Sequence, residues 1–131
     1  MFFKNKITKL NKLYFCYQVG NYMNGSIAYT LDVPKLKLTY KPDKKSEEES
    51  IEYTIDLSDI TEIENKLNEY KVIKWDKFHK SNKRVLDGNC WALSITYKKE
   101  KMVYAHGYEK YPKNYKEVKS FLDEIFSKYI K

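Results

Sequence analysis

Three side chains in the last third of the chain have the types needed for thiol chemistry: Cys90 as nucleophile, His106 as base and Asp87 as the carboxylate that orients the base. They sit around two alternating segments, 91–97 (WALSITY) and 101–108 (KMVYAHGY), which read as one hairpin turning over Lys98 to Lys101. With Tyr97 opposite Met102, one face carries Trp91, Leu93, Ile95, Tyr97, Met102, Tyr104, His106 and Tyr108. The other face carries the small residues Ala92, Ser94, Thr96, Val103, Ala105 and Gly107. That pairing separates His106 from Cys90, so the expectation is a protein that is not an enzyme. A one-residue slip would move the whole strand to the opposite face and bring the two together.

Metal chemistry has less to work with. His79 and His106, with the distant Cys16 and Cys90, show none of the close spacings that build a zinc site, so no metal is expected. With 4 glycines in 131 residues there is no glycine-rich phosphate loop, serine-hydrolase elbow or dinucleotide fingerprint, and no cofactor is expected. One pattern does suggest binding. Lys71, Lys74, Lys77, Lys80 and Lys83 recur every third residue, with Arg84 adjacent and Trp75, Phe78 and His79 between them. Cations interleaved with rings can follow a single-stranded backbone and stack its bases. The competing reading is that Trp75 and Phe78 pin the loop to the core while the lysines stay in water.

The formal net charge is +7, yet only Arg84 among the 25 basic residues is an arginine. Lysine lacks the planar fork that grips phosphates and guanine edges in pairs, and a lysine-rich composition is also what an AT-rich genome encodes. The charge is unevenly spread: +7 over residues 1–45, −8 over 46–70 and +8 over 71–131. A surface of two signs suits an oriented protein partner better than a uniformly basic clamp. No run of about 18 apolar residues exists to span a membrane. Lysines interrupt the first thirteen residues, where a signal peptide needs an unbroken apolar stretch, and two cysteines make no disulfide framework. A cytoplasmic location is expected.

The elements that must position these groups begin with four strands. Tyr14 to Val19 is the first; Ile27, Tyr29, Leu31 and Val33 alternate in the second; Leu36, Leu38 and Tyr40 point inward in the third. Ile51, Tyr53, Ile55 and Leu57 do so in the fourth, beyond a charged hairpin loop containing Glu47, Glu48 and Glu49. If the third and fourth strands pair across that loop, Lys35 faces Asp56 and Lys37 lies between Glu52 and Asp56. Ser58 or Asp59 then caps a helix, Asp59 and Glu62 form a capping box, and Ile60, Ile63, Leu67 and Tyr70 make its buried stripe. A last helix starts near Asn114 and carries Tyr115, Val118, Phe121, Leu122, Ile125, Phe126, Tyr129 and Ile130 on one face. The reading is one domain over 1–131 of class α+β. It has an antiparallel sheet of about six strands, ordered β4-α-β2-α along the chain, with two helices packed on one face.

The block W-x-x-F-x-K-S-x-x-x-x-x-D-G, here Trp75 to Gly88, and G-Y-x-x-Y-P-x-N-Y, here Gly107 to Tyr115, resemble a family of small uncharacterised bacterial proteins. The match covers roughly residues 50–131, includes Lys80, Ser81, Asp87 and Pro112, and implies an α+β fold without implying an activity. The expectation is a non-catalytic binding protein of inhibitor, immunity or adaptor type, bacterial or phage-borne, acting on a protein partner. Its candidate surfaces are Glu47, Glu48, Glu49, Glu62 and Glu69, and the loop residues Lys74, Trp75, Lys77, Phe78, Lys80 and Arg84. The alternative is a protein that contacts nucleic acid through the loop running from Lys71 to Arg84.

Overall fold

The computed structural model describes residues 6–18, 26–42, 50–82, 84 and 88–130. Glu47, Glu48, Glu49, Lys83, Asp87 and Val19 lie outside the described residues. Along the chain come β1 (Leu10–Gln18), β2 (Ser26–Asp32), β3 (Lys37–Lys41), β4 (Ile51–Thr54), α1 (Leu57–Glu69) and a 3-10 turn (Val72–Trp75). Then follow β5 (His79–Ser81), β6 (Cys90–Tyr97), β7 (Lys101–Tyr108) and α2 (Tyr115–Ser127). The fold is α+β, one seven-stranded sheet in the order β4-β3-β2-β1-β6-β7-β5, antiparallel except where β5 pairs with β7. Alternation along the strands supplies one apolar face: Leu13 and Phe15, Tyr29 and Leu31, Leu38, then Trp91, Leu93 and Ile95. Both helices bury their stripes on that face, α1 with Ile60, Ile63 and Leu67 and α2 with Val118, Leu122, Ile125 and Phe126.

Strands β3 and β4 pair in the expected register, but Leu36, left-handed (φ 50°) in the turn before β3, and Ile51 are exposed instead of facing inward. Lys37 pairs with Thr54 and Leu38 with Tyr53, which places the Lys37 ammonium 3.4 Å from Glu52. The fourth strand is shorter than expected: it ends at Thr54, so Leu57 opens α1 and stands 63% exposed instead of facing inward. The helix starts also differ. Asp56 occupies the N-cap of α1 without a side-chain cap bond, and Asp59 is turned away from its own helix end. It accepts from Lys128 Nζ at 2.8 Å and from the Tyr129 hydroxyl, while that hydroxyl in turn accepts the Asp56 N–H at 3.1 Å. A capping residue has thus become the clasp between the two helices. Asn114 caps α2 from a left-handed conformation (φ 69°), its amide donating to the Tyr70 carbonyl at 3.3 Å.

The closing hairpin departs most. Tyr97 pairs with Lys101, not Met102, and Trp91 with Gly107. The loop is one residue shorter than expected, so every β7 side chain changes face. Val103, Ala105 and Gly107 point into the core; Met102, Tyr104, His106 and Tyr108 point away from it. Volume explains the choice, because Trp91 leaves no room opposite itself. A Cβ on Gly107 would lie 2.3 Å from the Lys110 carbonyl oxygen and 2.5 Å from Trp91 Nε1. Beyond that contact the indole donates to Lys110 O at 2.8 Å and Trp75 Nε1 donates to Lys113 O at 3.0 Å, so two tryptophans fix the segment leading into α2.

Two outcomes test this packing. Gly107→Ala is expected to lose at least about 2 kcal/mol in a urea titration, because the obstructing atom is backbone and cannot swing aside; an unchanged midpoint contradicts the pairing. Lys128 and then Tyr129 hold the Asp59 carboxyl below its ordinary value of about 3.9. A depressed carboxyl contributes stability above its unfolded pKa and loses that contribution as pH falls through its folded one. Asp59→Asn should therefore lower Tm by roughly 3–6 °C at neutral pH, and the gap to wild type should close as pH falls from about 5 toward about 2. A gap that stays constant across that window contradicts the clasp.

Candidate functional site

The helices cover one face of the sheet, and the change of register puts the rings of β7 on the other. There the imidazoles of His79 and His106 stack with centroids 4.3 Å apart and planes 15° apart. Tyr104 leans on both, at 5.3 Å from His79 and 5.5 Å from His106. Backbone pairing sets this cluster: His79 of β5 lies beside His106 of β7 in parallel register. The turn before β5 is hooked to β7 by Lys77 N–H donating to Tyr104 O and Tyr104 N–H donating to the Asp76 carboxylate, both at 3.0 Å. Tyr104 is 42% exposed and Met102, two residues before it, 54% exposed.

The lysine-rich segment runs from the 3-10 turn into β5, which lies beside β7 and carries Lys80 on the Phe78 side, opposite the rings. Its three-residue spacing has a local basis: the 3-10 turn repeats every three residues, which suits Lys71 at its N-cap and Lys74 within it. Lys71, Lys74, Lys77, Lys80 and Arg84 are all exposed. Among the described residues no salt bridge joins them to a carboxylate. The rings between them behave differently from the candidate role assigned to them. Trp75 is 3% exposed, edge-on to Trp91 at 5.9 Å and stacked on Tyr115 at 6.0 Å, so it cannot meet a partner. Phe78 is half-buried against Trp91 at 5.9 Å, under the Lys80 ammonium at 5.1 Å from its ring centroid. The aromatic groups that do reach solvent on the other face are exposed His79 and Tyr104, with His106 half-buried between them. Only the register of β7 reveals two of them, and alternation alone does not supply that register.

On the acidic side, Glu62 and Glu69 are exposed on α1, and Glu69 holds Lys66 at 3.2 Å. Cys90 and His106 now share a face, which corrects their expected separation; they stand two register steps apart, Cys90 opposite Tyr108 and His106 opposite Ala92. The two groups have different surroundings. His106 belongs to the ring stack, whereas Cys90 lines a cleft of about 580 Å³ with Tyr17, Tyr111, Tyr115, Lys116 and Lys119. Within that cleft the Lys119 ammonium sits 4.1 Å above the Tyr17 ring and 3.0 Å from Asp123. The Tyr17 hydroxyl donates to Asp123 at 2.8 Å, as does that of Tyr29 at 2.7 Å, and burial, then Asp123, pushes both phenols up. Among the described residues no group of three or more His, Cys, Asp and Glu could hold a metal ion, and no helix is long and apolar enough to cross a membrane.

Compared with models of protein families and with curated proteins, the chain matches none.

The separation of scaffold from surface rings has a direct test. Trp75→Ala should cost about 3–5 kcal/mol, whereas Tyr104→Ala should stay within about 0.5 kcal/mol of wild type in the same denaturant titration. Comparable losses for the two would contradict the assignment of Tyr104 to the surface.

Proposed function

We propose that this protein is a non-catalytic binding protein and that its working surface is the flank formed by β5, β7 and the lysine-rich loop. The observation that carries this is the ring cluster of exposed His79 and Tyr104 with half-buried His106, next in the chain to exposed Lys77, whose N–H donates to the Tyr104 carbonyl. Rings open to solvent offer stacking surfaces, and ammonium groups that no salt bridge among the described residues ties to a carboxylate favour an anionic chain. That chemistry favours a single-stranded nucleic acid, with the rings taking bases and the lysines taking phosphates. Lysine suits backbone contact, since a point charge needs no fixed geometry, and the single arginine makes base-specific reading unimportant here.

A protein partner, the reading favoured by the two-signed charge distribution, finds support in Glu62. It is exposed on α1, seven residues from Glu69, and so lies on the same side of the helix. The family resemblance bears on neither reading, because its recurring Trp75, Gly107 and Pro112 belong to the packing around the start of α2.

Fluorescence anisotropy with a labelled 12-nucleotide single strand separates the two. Binding at 50 mM salt should weaken steeply by 200 mM salt. Changing Lys74, Lys77 and Lys80 to Glu should abolish it, and Tyr104→Ala should weaken it about tenfold with the salt slope unchanged. No binding at 50 mM salt sinks the nucleic-acid reading and leaves the protein partner ahead.

A further inference from the structure

At the far end of β7 from the ring cluster lies a second concentration of positive charge. A hollow of about 460 Å³ is lined by Lys9, Asn11, Lys98 and Lys99. The segments carrying them are joined by Lys98 N–H donating to Lys9 O at 3.2 Å. All three lysines hold left-handed backbone conformations, with φ of 53°, 46° and 67°. The three-residue loop of Lys98, Lys99 and Glu100 thus opens with two consecutive residues in the left-handed region, which Asn and Gly adopt with less strain than other residues. Lys98 and Lys99 adopt it at a cost, so these side chains are not explained by turn formation. No salt bridge among the described residues neutralises the three ammonium groups. The acids beside them are Glu100, in the turn itself, and Glu64 of α1, whose carboxylate accepts the Leu10 N–H at 3.0 Å. Three cations around an open hollow repel one another, and a multiply charged anion relieves that repulsion.

We infer that this hollow is a phosphate seat and that it receives a phosphate of the same strand whose bases lie on His79, Tyr104 and His106. This step rests on the single-strand reading above. From Lys101 to His106 the strand advances about 17 Å at roughly 3.4 Å per residue. A stacked nucleic-acid strand rising about 3.4 Å per nucleotide crosses that distance in about five nucleotides. Met102, exposed on the way, lies along this track. The surface therefore has two contact points, a ring patch and a phosphate seat, and a ligand must be long enough to reach both.

The test is a double substitution that removes the charge while giving the turn its preferred residues, Lys98→Asn with Lys99→Gly. The variant should melt at or above the wild-type temperature. It should bind an 8-nucleotide single strand about tenfold more weakly, with a salt slope shallower by about 0.7 for the one lost phosphate contact. A trinucleotide, too short to reach the turn, should bind wild type and variant alike. Unchanged 8-nucleotide affinity in the folded variant overturns the seat while leaving the ring patch standing. If no single strand binds at all, titration with inorganic phosphate decides separately. In that case a failure to shift the amide resonances of Lys9, Lys98 and Lys99 at millimolar phosphate removes the seat as well, and shifts that vanish in the double variant retain it as a site for free phosphate.

Discussion

The contact between Trp91 and Gly107 is the constraint on which the rest of this structure depends. An indole on β6 occupies the space where the facing residue would carry a side chain, so that residue can only be glycine. Once Gly107 is under Trp91, pairing assigns every other β7 side chain to a face: Ala105 beneath Leu93, Val103 beneath Ile95, and the large residues outward. The same indole reaches past Gly107 to the Lys110 carbonyl and packs on Tyr115 at 4.8 Å, so one side chain sets both the hairpin register and the place where α2 begins. Trp75 reinforces it from the 3-10 turn, which ties the lysine-rich loop to the same core.

Two carboxylates complete the layer. Asp123 gathers the hydroxyls of Tyr17 and Tyr29 and the ammonium of Lys119, anchoring α2 over β1 and β2. Asp59 joins the start of α1 to the end of α2. A chain with 13 tyrosines brings hydroxyls into its core along with its rings, and these acids give several of them a partner. With both helices committed to one side, the opposite side of the sheet keeps the polar and aromatic residues that alternation assigns to it. The proposed binding surface is therefore a consequence of one-sided packing.

Much of this was legible in the residues. The stripes of α1 and α2 follow from spacing, and the β3–β4 register follows from alternation combined with charges that neutralise each other across the pair. The face of β7 was not legible from periodicity, because alternation says that two faces exist without saying which is buried. The signal that decides it is volume: a tryptophan needs a small residue opposite, and Gly107 and Ala105 are the small residues on β7. Strand β5 escaped because His79, Lys80 and Ser81 are all exposed and become a strand only by lying beside β7. Asp59 looked like a capping residue because a capping box is local, whereas its actual partners are about seventy positions away. Of the candidate surface, the lysines were visible as a repeat. Trp75 and Phe78 follow the competing reading and pin the loop to the core, while Tyr104 and His106, which sequence proximity does not pair with the lysines, arrive from another strand.

The most direct test of the account is the cross-strand pattern of nuclear Overhauser contacts in the closing hairpin. Backbone contacts joining Trp91 to Gly107 and Ala92 to His106 are the result that follows from a core indole seated over a glycine. Contacts joining Trp91 to Tyr108 and Ala92 to Gly107 would shift the strand by one residue and turn Tyr104 and His106 into the core. That result would remove the surface on which the functional reading stands.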